Sequence, residues 1–384
     1  MRASKAGALV LYALVFVAGG VTSLVLDRWI PLRALPALWN PRGERVGPGR
    51  PVDPAIPGDS TVLFTDDDAL FSYVKRFGPA RTLRRLSELA PLPGSCHDPA
   101  HKAGRFAYEL LKQKAFQSCS AECHSGCYHG AVEAYFKEHG TADLSKQLRL
   151  VCGSELRPFF AHQCFHGVGH GLMAWAGYEL LDALEACEHV PEKWQVSCWT
   201  GVFMENIVGA LGAKEGHASR YLSDDPHYPC TVVADKYKFS CYFLQTSRMM
   251  QVFSGDFARI AAACLGAPER YRRACFESMG RDVGGVHRRD VPQAIAACSH
   301  APAGELRTGC LIGAAQDTFW TADGQDTALR FCGALKEEDE KDACYRVIVS
   351  RARVVLASQE ELTSFCSRVE AQHRNTCPGF LNSD

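Results

Sequence analysis

The chain has 384 residues, 47% of them hydrophobic and 22% charged, with a formal net charge of −1. That apolar content suffices for a sizeable core, and the balanced charge removes the basic excess that would draw a chain to nucleic acid, so no nucleic-acid partner is expected. Eighteen cysteines argue against the reducing cytosol, because regular disulfides form and persist in oxidising compartments.

From the N-terminus, residues 6 to 26 carry no charge and follow Arg2 and Lys5. At 1.5 Å per residue such a helix is about 31 Å long, enough to cross a bilayer. Residues 1–28 therefore read as a retained signal-anchor, with the membrane as a partner; a cleaved signal peptide is the alternative. Arg28, Arg33, Arg42 and Arg45 follow the span and would by charge alone hold that side in the cytoplasm. The cysteines outweigh them, because long domains are translocated largely regardless of charge. Residues 29–60 hold seven prolines from Pro31 to Pro57 and read as a semi-extended spacer. Residues 61–384 are expected to fold outside the cytoplasm. The absence of any N-x-[ST] sequon favours a bacterial periplasm or cell surface.

Fourteen cysteines then form a ruler of seven expected disulfides. Cys152 pairs with Cys164, Cys187 with Cys198, Cys230 with Cys241, Cys264 with Cys275, Cys298 with Cys310, Cys332 with Cys344, and Cys366 with Cys377, each pair 11 or 12 positions apart. First cysteines follow one another at 35, 43, 34, 34, 34 and 34 residues, one repeat unit with a single insertion. In the unit from Cys264 to Cys298, Pro268-Glu269 opens a long helix that Gly284-Gly285 and the HRRD sequence should stop. Asp290 and Pro292 then start a short one. The first cysteine of each pair falls at the end of a short helix and the second about two turns into the next long helix, where a disulfide would staple them. Phe165, Trp199, Tyr242, Phe276, Leu311 and Tyr345, each directly after a second cysteine, are expected to pack on the preceding repeat. Gly167, Gly201 and Gly313, three past it, would let helices approach closely. TVLF at 61–64 and TVV at 231–233 are too isolated to build a sheet. The expectation is an all-α, right-handed α-α solenoid of disulfide-stapled helix pairs, with a His-rich part at 61–176 and regular repeats at 177–384. In period and topology alone this resembles the tetratricopeptide and Sel1-like repeats; the tetratricopeptide W-x2-L-G-x2-Y pattern is missing.

Histidine is concentrated at one end, with eight of fourteen between His97 and His170. His97 and His101, His129 and Glu133, and His166 and His170 each stand four apart, so each pair projects from one helical face and can ligate one ion. His129/Glu133 and His166/His170 also share a register, two and six positions past Cys127 and Cys164. The next unit has Thr200 and Met204 there, with Glu205 beside them as a further ligand. Later units carry Phe243/Ser247, Glu277/Arg281, Ile312/Gln316 and Arg346/Ser350, which make no such set. On a single helix the histidines lie about 120° from the centre of the apolar stripe, which predicts a solvated or groove-lining face. His139, His162, His217, His227, His287, His300 and His373 read as ordinary.

A transition metal ion (Zn, Fe or Cu), as one ion or two, is the cofactor this donor set suggests. A helix from His97 would hold Cys96 and Cys119 too far apart to bond. Cys96 with Cys123 and Cys119 with Cys127 is preferred, Cys127 being the equivalent of the later second cysteines; Cys96–Cys127 with Cys119–Cys123, or thiolate ligation, are the alternatives. A non-enzymatic scaffold whose solenoid face recruits a protein partner is the competing function, and the Lys336–Asp342 charge run reads as a solvated turn.

Overall fold

A computed structural model of the chain describes residues 61–90, 95–120, 122–152, 158–208, 219–287, 290–320, 324–356 and 358–377. The expected membrane span and its spacer lie outside these residues. No helix among them is long and apolar enough to cross a membrane.

The described residues are helical, without strands. Three helices lead in: α1 (Val62–Thr65), α2 (Asp67–Phe77) and α3 (Pro79–Leu89). Neither β-branched run forms a strand, as expected: TVLF at 61–64 largely falls in α1, and TVV at 231–233 lies in a turn. Long and short helices then alternate: α4 (His97–Leu111), α5 (Ala115–Ser118), α6 (Gly126–His139), α7 (Leu144–Val151), α8 (Pro158–Trp175), α9 (Leu180–Ala186) and α10 (Glu192–Val208). After the inserted stretch come α11 (Asp235–Leu244), α12 (Thr246–Val252), α13 (Phe257–Gly266), α14 (Glu269–His287), α15 (Val291–Cys298), α16 (Glu305–Asp317), α17 (Gly324–Ala334), α18 (Glu338–Val355) and α19 (Gln359–Ser367).

Local chemistry sets these boundaries. Asp66, Asp256 and Asp290 turn their carboxylates onto the first free amides of α2, α13 and α15, and Ser358 with Glu361 forms a reciprocal capping box on α19. One boundary differs from the sequence expectation. Gly284-Gly285 do not end α14, which runs on to His287. Gly284 lies against Ala314 and Asp317 of α16, so packing holds the helix through the pair.

Every cysteine is bonded, with Cα atoms 5.4–6.0 Å apart. Cys96 bonds Cys123 and Cys119 bonds Cys127. The seven regular bridges join Cys152 to Cys164, Cys187 to Cys198, Cys230 to Cys241, Cys264 to Cys275, Cys298 to Cys310, Cys332 to Cys344 and Cys366 to Cys377. Cys164, Cys198, Cys241, Cys275 and Cys344 are each the seventh residue of a long helix, and Cys310 is the sixth, just under two turns in. Two cysteines depart from this plan. Cys377 follows a 3-10 helix (Ala371–Thr376) rather than sitting inside a long α-helix, and Cys230 lies in a turn, because the inserted stretch replaces its short helix. Closing loops of this length stabilises by about 3 kcal/mol each through the unfolded chain.

Each long helix packs on the next: α4 on α6, α6 on α8, α8 on α10, α10 on α11, α11 on α14, α14 on α16 and α16 on α18. Helix α18 also touches α8, linking late repeats to early ones. Glycines fix how close the long helices come, Gly130, Gly201 and Gly313 among them. A Cβ on Gly130 would stand 1.9 Å from the His101 carbonyl oxygen, and one on Gly313 2.3 Å from that of Glu277. Neither position tolerates a larger residue without the helices separating. The aromatics after the second cysteines are buried; Trp199 keeps the expected contact with the preceding repeat, donating its Nε1–H to the Leu184 carbonyl at 3.3 Å, and three of them also meet the following repeat. Phe165 stacks on Trp194 at 5.6 Å, Trp199 meets Tyr237 edge-on at 5.2 Å, and Tyr242 stacks on Tyr271 at 5.4 Å. Each partner stands four residues before the next second cysteine (Cys198, Cys241 and Cys275), so its ring and the disulfide share one turn of that helix.

Candidate metal centre

The close approach of α4, α6 and α8 brings five imidazoles together. His97 and His101 come from α4, His129 from α6, and His166 and His170 from α8. Neighbouring ring centroids lie 4.6 Å apart for His97–His101, 5.1 Å for His101–His129, 4.7 Å for His129–His170 and 5.0 Å for both His129–His166 and His166–His170. The solvated face expected from periodicity is wrong. His101, His129 and His170 are no more than 2% exposed and His166 is 8% exposed. A single-helix projection sees one apolar stripe, whereas each of these helices is flanked by long helices on both sides.

The outer nitrogens of four rings are engaged. His97 Nδ1 donates to the Cys123 carbonyl at 2.9 Å, and His101 Nδ1 contacts Glu133 Oε1 at 2.8 Å. His166 Nδ1 lies 3.1 Å from Thr200 Oγ1, and His170 Nδ1 2.9 Å from Glu205 Oε2. These partners are themselves held. Arg105 donates to Glu133 Oε2 at 3.1 Å, Tyr178 OH to Glu205 Oε1 at 2.9 Å, and the Thr200 hydroxyl to the Ser197 carbonyl at 2.8 Å.

Proton accounting then fixes what faces inward. A carbonyl and an ionised carboxylate only accept, and Thr200 has already given its one proton to Ser197, so Nδ1 carries the hydrogen in His97, His166 and His170, and in His101 whenever Glu133 is ionised. The Nε2 atoms are left as lone pairs. Yet His97 Nε2 faces His101 Nε2 at 3.1 Å, and His166 Nε2 faces His170 Nε2 at 3.3 Å. His129 Nδ1 lies 3.3 Å from His101 Nε2, and its Nε2 is buried without a partner. Lone pairs opposed at such distances repel unless a cation stands between them.

A proton is poorly suited to be that cation. Burial, reinforced by neighbouring histidines, holds His101, His129, His166 and His170 well below the usual imidazole range. Neutral imidazoles are the metal-binding form, and two nitrogens 2.0–2.1 Å from one tetrahedral ion stand about 3.4 Å apart. The atoms also group as ligands do: His97, His101 and His129 lie within 4.8 Å of one another, as do His129, His166 and His170, and His101, Glu133 and His170.

No cysteine joins these groups among the described residues. Cys96 and Cys123, the candidates for thiolate ligation, are bonded to each other. Cys198, Cys241, Cys275, Cys310 and Cys344 are likewise closed in their own bridges, so every cysteine sulfur serves the frame and none the site.

Of the carboxylates singled out in the sequence, Glu133 is in one such group and its carboxyl is pushed up to about 7 by burial, against the pull of Arg105. Glu205 is in none, its oxygens being turned to His170 and Tyr178. Sequence reasoning missed Tyr178, Arg105 and the Cys123 carbonyl. That carbonyl is delivered by a turn in which Cys123, His124 and Ser125 all have φ between 54° and 59°, a left-handed run of non-glycine residues with no sequence signature. The C-terminal half supplies the outer wall. His124 lies 3.7 Å from Asp317, and His162, bonded to Ser197 at 2.7 Å, is held at about 4 by burial and the nearby Arg351. No protein family profile, curated protein or solved structure matches the chain.

Proposed function

We propose that this is an exported metalloprotein, anchored to the membrane by residues 1–28, whose N-terminal repeats bind a transition metal through His97, His101, His129, His166 and His170. Glu133, Glu205, Thr200 and the Cys123 carbonyl act as orienting partners, which revises Glu133 and Glu205 from ligands to residues that fix ring tautomers. The observation that carries this reading is the His166–His170 pair. Both Nδ1 atoms are committed outward, so two buried lone pairs oppose each other at 3.3 Å. Imidazole donors suit Zn, Fe or Cu. Nine disulfides indicate an oxidising, extracytoplasmic setting. The remaining repeats act as a stapled right-handed solenoid that braces the site and offers its outer face to a protein partner.

Elemental analysis of the full chain, purified without a His tag, tests the reading beside a His166→Ala/His170→Ala variant. Tightly held metal in the parent and a clear loss in the variant are expected. Absent metal, or the same content in both, overturns it.

A further inference from the structure

The five rings are not arranged around one point. The ligand atoms that lie within 4.8 Å of one another form two all-histidine sets, one of His97, His101 and His129 and one of His129, His166 and His170. Ligands of a single ion with bonds near 2.1 Å lie at most about 4.2 Å apart, so one ion does not take all five nitrogens as they are placed. His129 belongs to both sets, and it differs from the other four rings in having no orienting partner on the outside. Its Nδ1 faces the His97/His101 side at 3.3 Å from His101 Nε2, its Nε2 is buried with no partner, and its ring stacks on His170 with an interplanar angle of 15°. The other four rings each keep one nitrogen for the protein and offer one inward; His129 keeps neither.

We infer that the centre holds two metal ions bridged by His129: one on His97 Nε2, His101 Nε2 and His129 Nδ1, the other on His166 Nε2, His170 Nε2 and His129 Nε2. This rests on the metal reading above and specifies its nuclearity. A neutral His129 carries one ring proton, which leaves to solvent when both nitrogens are metal-bound, so the second ion displaces one proton more than the first. Each ion has three nitrogen ligands, which leaves a position for a small donor molecule on each. Glu133 and Glu205 hold the Nδ1 atoms of His101 and His170, one ring in each ligand set.

The test is stoichiometry and coupling in the full-chain protein, stripped of metal and reloaded with Zn(II) or Cu(II). Two Zn(II) per chain are expected. His97→Ala/His101→Ala and His166→Ala/His170→Ala should each retain one. With Cu(II), electron paramagnetic resonance should show two interacting spins in the parent and non-interacting copper in His129→Ala. Far-ultraviolet circular dichroism and a count of free thiols check that the variants keep their helices and nine disulfides. One ion per chain, abolished by either double substitution, overturns the two-ion inference and leaves the metal reading intact. Two copper ions without spin interaction overturn the bridge. No bound ion at all overturns both, so the failures are distinguishable on the parent protein even where a variant does not fold.

Discussion

The early long helices α6 and α8 and the late ones α14 and α18 share one frame, with stapled cysteines and matching register positions, yet their polar interiors follow opposite rules. Where α6 and α8 carry His129/Glu133 and His166/His170, α14 carries Glu277/Arg281 and α18 Arg346/Ser350. In the later region donors meet acceptors within the protein. Arg281 donates to Ser247 Oγ at 2.7 Å, while Ser247 and Thr246 donate to the Asp282 carboxylate at 2.9 and 2.6 Å. That closure is local to this cluster, since Ser240 Oγ is buried without a hydrogen-bond partner elsewhere in the later region. In the early region the outward nitrogens are satisfied while His166 Nε2 and His170 Nε2 face each other at 3.3 Å and His129 Nε2 is buried without a partner, the arrangement from which the metal reading is proposed. One frame thus carries two polar interiors, an Arg/Asp/Ser/Thr network in one region and facing imidazoles in the other.

The largest expected difference between the two regions is their response to acid. The four buried histidines are neutral in the folded protein and take up protons on unfolding below the ordinary imidazole range. Stability of the metal-free protein is therefore held above pH about 6.5 and lost as pH falls toward the depressed folded values. Each such group costs about 1.4 kcal/mol per pH unit, up to about 5 kcal/mol per unit for four. Urea unfolding at pH 7.5, 6.0 and 5.0 measures it, and a flat profile refutes it. The His166→Ala/His170→Ala variant should show about half the slope.

Next in size are Gly130→Ala and Gly313→Ala, where an added methyl meets a neighbouring carbonyl. Each should cost about 3 kcal/mol in thermal or urea unfolding. Only Gly130→Ala should also weaken metal binding, because it pushes His129 away from His101; equal loss of metal in both would erase the regional contrast. Removing Cys96–Cys123 or Cys366–Cys377 by paired serine substitution should likewise cost about 3 kcal/mol each. Metal affinity should fall only for the first, whose Cys123 carbonyl orients His97. The smallest effect is expected for Glu205→Gln and Thr200→Val, which leave every ligand in place and loosen one ring. A 10- to 100-fold weaker affinity in competition titration is expected, against no change for Ser247→Ala in the later region.

Much of this contrast is legible in the amino-acid sequence. Cysteine spacing locates both partners of each staple, and used as an alignment it places His129/Glu133 and His166/His170 in one register. The spacing fails locally at Cys230 and Cys377, where the bridge forms but the expected helix does not, since sulfur separation constrains the loop and not the conformation inside it. What periodicity does not deliver is burial. It predicts that the histidine face meets solvent, because the apolar stripe of one helix says nothing about a second and third helix packing on its other sides. The roles of Glu133 and Glu205 are equally hidden, since four- and five-residue spacings tell which side chains are near but not which ring nitrogen each meets. Nor does sequence announce a left-handed turn made without glycine, such as Cys123 to Ser125. The aromatic expectation is incomplete for a related reason: the register marks Tyr242 as core, while its further stack on Tyr271 of the following repeat depends on how successive helices tilt.

The contact of α18 with α8, and of His124 with Asp317, has a temporal meaning. A chain exported from its N-terminus emerges with all five histidines about 150 residues before α16 and α18, the helices that wall them in. On the proposed reading the imidazoles stand open to the compartment outside the cytoplasm during that interval, and the site would take its ions from there. Completion of the last repeats would then close the early end of the chain, making the order of synthesis an order of loading and sealing.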